Sequence, residues 1–422
     1  MPRVLLLATT TGYQTRMFTG AAERLGVELV FATDRCRGLE DPWGDHATPI
    51  RFEEEERSIT DLLTGLHGKP IDGVLVVGDQ PTVLAALAAQ ALHLPGNPPD
   101  AARASRNTLL CREKLRAVRL LVPSFRTVPF DIDPRAVAGS VPYPAVVKPL
   151  ALSGSRGVVR ADDPDQFVAA FVRLRHILLD HDLRRLKDPA NDVVLIERFI
   201  PGSAFALEGL LDRGRFRTLA LFDKPDPLDG PFFEETIYVT PSPQPAGVQE
   251  AIARGVPVTA LGLWHGPVHA ECRVNEEGVF VLEAAARPIG GLCARSVRFT
   301  GPGSAVVSFE ELLLRHAVGE DTGGYRREES ASGVMMIPIP RRGVYRAVSG
   351  VEQALAVTGI DEIFVTAKRD QMLVPLPEGA SYLGFIFARG ESPERVVRTI
   401  RQAHARLSFE IDAPLPIVAG SR

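Results

Sequence analysis

Two apolar runs in the middle of the chain, His269-Ala270-Glu271-Cys272-Arg273 and Phe280-Val281-Leu282-Glu283-Ala284, flank the turn Asn275-Glu276-Glu277-Gly278, and each carries one glutamate. A polar turn between two such runs predicts a β-hairpin. Counted inward from the turn, Glu271 and Glu283 fall within half-buried faces of adjacent strands. Two carboxylates so placed repel each other and resist desolvation unless a cation lies between them. A divalent ion of the magnesium class, shared with phosphate oxygens, resolves the conflict. Arg287, just beyond Glu283, can reach the same place as an oxyanion or phosphate clamp. Structural salt bridges with Arg273 and Arg287 are the competing account of the same residues.

The chain is 422 residues long, which at roughly 150 residues per domain means two or three domains rather than one small binding module. Its 48 basic and 52 acidic residues leave a net charge of −4, so there is no bulk cationic field and nucleic acid is not expected as a partner. Apolar stretches such as Val83 to Ala89 stop far short of the roughly 18 to 20 residues that span a bilayer, and no membrane helix is expected. The start, Met1-Pro2-Arg3 followed by Val4-Leu5-Leu6-Leu7-Ala8, is too short in its apolar part for a secretory leader. It reads as a first strand, and the expected compartment is the cytoplasm. Cys36, Cys111, Cys272 and Cys293 form no CxxC pair and read as reduced core thiols. Neither HExxH nor GxSxG occurs, and His265 with His269 lacks an accompanying glutamate, which disfavours a zinc hydrolase.

From Val4 to about Leu94 the pattern strand, turn, helix repeats: a buried strand Val4 to Ala8, a turn at Thr9 to Gly12, a helix Gln14 to Leu25, then β-rich runs Val27 to Ala32 and Gly73 to Val77. Such a series predicts a parallel sheet. The first turn lacks the GxGxxG spacing of a dinucleotide site, which removes the main support for a dehydrogenase. Pro95, Pro98 and Pro99 mark a boundary, and one helix is expected from Ala101 to about Arg119. Further on, the pattern predicts strands at Ala145 to Lys148, Val193 to Glu197, Val268 to Val274 and Val279 to Ala284, and two strands within Ala204 to Ala220. Helices are expected at Pro164 to Leu179, Gln249 to Leu261, Ser308 to Ala317 and Pro393 to Ser408. The expected units are 1–98, an N-terminal α/β domain; 99–134, a linker helix region; 135–204 and 205–321, a small and a large lobe; and 322–422, a C-terminal α+β domain.

Two more elements carry chemistry. Lys148 ends an apolar strand and is followed by Ser153-Gly154-Ser155-Arg156-Gly157-Val158, a lysine and an amide-rich loop that together suit a polyphosphate. Val193 to Ile200 is an apolar strand that ends in Glu197 and bends through Phe199-Ile200-Pro201-Gly202. Extended backbone there can offer a carbonyl and an N–H to a purine edge. The plain alternatives are a solvated surface lysine, a turn glycine and an exposed strand end.

Taken in order, these elements resemble the ATP-grasp superfamily over nearly the whole chain. The resemblance runs through Asn107 to Leu115 with a first lysine at Lys114, Pro144 to Pro149, the loop Ser153 to Val158, Leu195 to Gly202, and Glu271 with Glu283 to Pro288. It implies an ATP-grasp fold, α/β and α+β multidomain, with an N-terminal parallel pre-ATP-grasp domain. It also implies ATP bound by Lys114, Lys148, Gly154, Ser155, Gly157, Glu197 and Phe199, and Mg2+ (or Mn2+) held by Glu271 and Glu283. Two positions depart from the family pattern. Ala204 stands where a carboxylate often meets the ribose, with Glu208 as the substitute, and Ala285 stands where an asparagine often serves as a further metal ligand.

Ala286 to Gly291, Gly333 to Pro338, Gly350 to Ala354 and Tyr382 to Ile386 resemble the carboxylate-amine ligases, including the L-amino-acid ligases. That branch implies joining of an acid, an amino acid or a related one, to an amine through an acyl phosphate, with Lys148 and Arg287 as catalytic residues. Glu235, in Phe232-Phe233-Glu234-Glu235-Thr236, then matches a site for the amino group of the first substrate, with Tyr238 where a histidine can occur. Lys224 is a second substrate-side candidate, and Gly290 and Gly291 leave room near Arg287. Small-molecule acid and amine substrates are the expected partners, and a homodimer is open because many relatives are dimers. Two rival readings are a biotin-carboxylase-like enzyme, disfavoured by the lack of a Gln-Val-Glu-His stretch, and a degenerate nucleotide-binding module, suggested by Ala204 and Ala285.

Overall fold

The computed structural model describes residues 1–9, 14–35, 47–255 and 258–414. The first turn, from Thr10 to Tyr13, and Cys36 lie outside the described residues. The N-terminal segment forms a four-stranded parallel sheet in the order Thr48–Pro49, Glu28–Thr33, Arg3–Ala8, Gly73–Val77. Leu5 and Leu7 face one core cluster while Val4, Leu6 and Ala8 face another. A strand covered on both faces needs an unbroken apolar run, which Val4 to Ala8 supplies.

Where one helix is expected from Ala101 to about Arg119, two form, Pro99–Arg106 and Thr108–Ala117. The break is at Asn107, whose extended backbone ends the first helix while its Oδ1 accepts from the N–H groups of Leu109 and Leu110 and caps the second. The helix expected over Gln249 to Leu261 likewise divides into Ala246–Gly255 and a short 3-10 turn, Val258–Leu261.

The small lobe is a four-stranded antiparallel sheet ordered Phe125–Pro129, Val193–Arg198, Ala145–Pro149, Val159–Ala161. Helix Pro164–Leu178 buries Phe167, Phe171 and Leu174 against it. The large sheet has eight antiparallel strands in the order Gly278–Ala285, Gly266–Asn275, Ser203–Asp212, Arg215–Lys224, Ile237–Thr240, Ala331–Ile337, Gly384–Gly390, Ile360–Val365. Its last three strands come from the final hundred residues, so one continuous sheet joins the large lobe to the C-terminal segment. Helix Pro393–His404 covers that end with Val396, Ile400 and Ala403. Cys111, Cys272 and Cys293 are buried free thiols. Among the described residues no helix is long and apolar enough to cross a membrane.

Because the Asn107 cap sets where the second helix starts, Asn107→Ala should lower stability by about 1 kcal/mol. Denaturant unfolding of the purified chain checks this.

Candidate functional site

Between the small sheet and the inner face of the large one lies a cleft of about 930 Å³. Its small-lobe wall carries Lys148, Gly154, Ser155, Glu197 and Phe199, and its large-lobe wall carries Ala204, Lys224, Glu235, Glu271 and Glu283. Lys148 pairs with Leu195 and Val146 with Glu197, so Lys148 and Glu197 are diagonal neighbours on one face. The Lys148 ammonium lies 3.1 Å from Glu197 Oε2, and Arg112 Nε donates to Oε1 at 2.6 Å. Burial alone would push the Glu197 carboxyl up; Arg112 and then Lys148 outweigh it and hold it below the usual carboxylate range. Glu197 is therefore spent on two cations, which fixes its part as a holder of Lys148. Phe199 stacks on Phe233 with centroids 6.3 Å apart and lies under the guanidinium of Arg160 at 4.2 Å, a flat aromatic edge to the cleft.

The loop after Lys148 reaches across to the C-terminal segment. The Gly157 N–H donates to Pro377 O at 2.8 Å, and Arg156 Nε donates to Glu378 O at 2.9 Å. Gly154 and Gly157 have φ of 64° and 76°, and a Cβ at Gly157 would come within 2.8 Å of Leu174, so glycine is required there.

On the large sheet the hairpin is in register with Glu271 directly opposite Glu283. Lys224 Nζ lies 3.0 Å from Glu271 Oε1 and also pairs with Glu235; Tyr238 donates to Glu235 Oε2 at 2.5 Å. His269 Nε2 is 3.2 Å from Glu271 Oε1, and its Nδ1 bonds Glu208. Burial opposes charge on His269, but Glu208 and Glu271 overcome it and raise its pKa to about 10. Lys224 is likewise held charged against burial by Glu235 and Glu271. Burial, then repulsion from Glu271, raises the Glu235 carboxyl despite Lys224. Glu271, for which burial would favour the neutral form, is kept well below the usual range by Lys224 and His269. Charges thus alternate along the sheet: Glu208, His269, Glu271, Lys224, Glu235.

Glu283 stands outside that alternation. Desolvation, then repulsion from Glu271 and Asp79, raises its carboxyl. Its nearest cation, Arg287 at 3.5 Å, is already held by Asp79 in a two-point pair of 2.7 and 3.1 Å. An uncompensated carboxylate directly opposite another is a place that fits a divalent cation, and Glu271 with Glu283 are the residues that could hold it.

Several expected residues stand elsewhere. Lys114 is not among the residues lining the cleft; its ammonium donates to Leu261 O at 3.1 Å. Residues 112 and 114 differ by about 200° around a helix, so Arg112, turned inward onto the buried Glu197, sends Lys114 the other way. Thr108, one turn before Arg112, lines the cleft instead. Glu208 cannot replace a carboxylate at Ala204, because four residues of strand separate them by about 13 Å. Its carboxylate is fully buried and taken by His269 and by the Ile289 N–H at 3.0 Å. Arg287 is buried against Asp79 rather than lining the cleft, and Gly290 and Gly291 do not line it either. Gly291, with φ 62°, packs against the Phe385 ring, while Gly290 is exposed. Arg112 and Asp79 are the residues that sequence reasoning missed. The signals were the Asn107 cap, which sets the helix phase, and the position of Asp79 just past the carboxyl end of a parallel strand, where ligand sites gather in open α/β sheets.

Comparison with known proteins agrees with this architecture. Residues 18–96 match the ATP-grasp N-terminal domain, 141–296 the ATP-grasp domain, and 335–412 the L-amino acid ligase C-terminal domain 2. The crystal structure of L-amino acid ligase from Bacillus licheniformis superposes with a TM-score of 0.82 at 26% identity, covering 98% of this chain and 99% of that one. Dapdiamide A synthase of Enterobacter agglomerans is 26% identical over 82% of this chain and 81% of its own length. Carnosine synthase 1 of Gallus gallus is 30% identical over 58% of this chain, which spans only 27% of that protein. The fold is therefore that of an ATP-grasp enzyme. The chain belongs to the carboxylate-amine ligase branch of that superfamily, whose members use ATP to form C–N bonds.

The buried Arg112–Glu197 pair yields a stability prediction. Arg112→Met should cost about 3 kcal/mol because Glu197 loses its closest cation in a dry site, and adding Glu197→Gln should recover part of that loss. Denaturant unfolding of the single and double variants reads the difference.

Proposed function

We propose that the protein joins a carboxylate, an amino acid or related acid, to an amine through an acyl-phosphate intermediate, releasing ADP and phosphate. The observation that carries this reading is the in-register pair Glu271 and Glu283, with Glu283 sharing its one cation, Arg287, with Asp79, in a cleft that also holds Lys148. Magnesium between those carboxylates would supply charge neutralisation for polyphosphate oxygens. The chain's own residues would do the rest. Lys148, oriented by Glu197, would bind phosphate, and the Gly154 to Gly157 loop would offer amide N–H groups and exclude water from the reactive intermediate. The aromatic edge at Phe199 and the hinge backbone would take the adenine. Arg287, held by Asp79 and outside the cleft lining, would act through Glu283, 3.5 Å away, by positioning that carboxylate. Glu235, close to Lys224 and Tyr238 on the far wall, is the acceptor suited to a substrate ammonium.

Incubation with ATP, Mg2+ and pooled amino acids should release ADP and give condensation products visible by mass. Glu283→Gln and Lys148→Met should each lower ADP release by about a hundredfold or more; Glu283→Gln should unfold at the wild-type temperature, and Lys148→Met below it because Glu197 loses one of its two cations. Product formation by Glu283→Gln at the wild-type rate would remove the proposed metal pair. Bicarbonate-dependent ADP release without an amine would favour the carboxylase reading, and ATP binding without turnover would favour a nucleotide-binding module. Glu235→Gln should raise KM for one organic substrate and leave KM for ATP unchanged, measured by initial rates.

A further inference from the structure

Away from the cleft, Asp212 ends strand Ser203–Asp212, His265 precedes strand Gly266–Asn275, and His316 is the penultimate residue of helix Phe309–Ala317. One ligand atom from each of the three lies within 4.8 Å of the others, the one such group among the described residues. Six residues of strand put His265 about 20 Å from Glu271, so this is a different place from the proposed Glu271 and Glu283 pair.

Three observations say that the cluster is prepared for a ligand. His316 is 5% exposed, yet its Nε2 has no hydrogen-bond partner, and neither has the buried Nδ1 of His265. Buried polar atoms are almost always satisfied, so two orphaned imidazole nitrogens in one group call for a reason. His265 Nδ1 is 3.7 Å from Asp212 Oδ1, too far for a hydrogen bond but close to the spacing of two ligands on one ion. The two rings stack with centroids 4.3 Å apart, which suits neutral imidazoles. Neutral imidazole is the form that binds metal.

We propose that Asp212, His265 and His316 form a binding site for a divalent cation of the zinc class, separate from the cleft and structural in purpose. Two imidazoles and one carboxylate suit Zn2+ or Co2+ better than Mg2+, which prefers oxygen ligands. Asp212 is half exposed at the start of a turn, with Oδ2 3.7 Å from the exposed Arg215 and Oδ1 turned to His265, the oxygen that would close the set. The ion would tie together two strand ends and a helix that are far apart in sequence, beside the N-terminal domain wall at Thr82 and Asn97.

The test uses the full chain without nucleotide, stripped with chelator, in a Glu283→Gln background so that the cleft carboxylates do not compete. After addition of Zn2+ and gel filtration, one equivalent of zinc should remain by elemental analysis, and the melting temperature should rise. Co2+ should give the visible d–d bands of a low-coordinate nitrogen and oxygen site. His316→Gln and Asp212→Asn should each weaken zinc binding by at least about tenfold, since even outer-shell partners of a metal are worth that much. Asp212→Asn, at a half-exposed position, keeps the test valid if the buried His316 variant fails to fold. No retained zinc and no d–d bands in the parent, or equal retention in the parent and Asp212→Asn, overturns the proposal.

Discussion

The inner face of the large sheet is organised by a line of buried charges of alternating sign, from Glu208 through His269, Glu271 and Lys224 to Glu235. Burial penalises charge on His269, Glu271 and Lys224, and their neighbours of opposite sign hold these three charged. The line is possible because Ala204 and Ala206 occupy the same face of the adjoining strand and leave space for longer side chains from both sides. Registers across the three central strands set which charge meets which. A slip of one residue would turn the line into the opposite core, where it has no partners.

That order gives Glu283 its special position. It shares the face but not the pairing, and Arg287, its natural partner, is drawn to Asp79 of the N-terminal domain. The like-charge conflict with Glu271 is thus left for a ligand to relieve. On the opposite wall the same logic runs to completion, because Glu197 is buried with two cations and Lys148 is held in place. One wall is balanced, and the other carries the like-charge pair Glu271 and Glu283 in the same cleft as Lys148.

The C-terminal segment enters this site from two directions. Its strands extend the large sheet beyond Ile237–Thr240, and Pro377 and Glu378 contact the glycine loop of the small lobe. Arg173 also pairs with Glu378, so the small lobe and the C-terminal segment are bridged by residues more than two hundred positions apart. The loop that would cover phosphates is therefore braced by a segment whose sequence carries no phosphate-binding signature of its own.

The sequence alone determined the parallel N-terminal sheet and the hairpin that pairs Glu271 with Glu283, because alternation, apolar runs and a hairpin turn are short-range signals. It determined Lys148 and the glycine loop for the same reason. What it left open depended on phase or on distant partners. Arg112 and Lys114 are equally basic neighbours, and only the start of the helix at Asn107 decides which of them turns inward onto Glu197. Glu208 shares a strand face with Ala204, yet the rise of the strand carries it to His269 and out of reach. Arg287 reads as a free clamp until the fold brings Asp79 to it from 208 residues away. Tertiary structure decided these points because a buried charge goes to whichever opposite charge the fold brings within a few ångströms, and spacing along the chain does not record that distance.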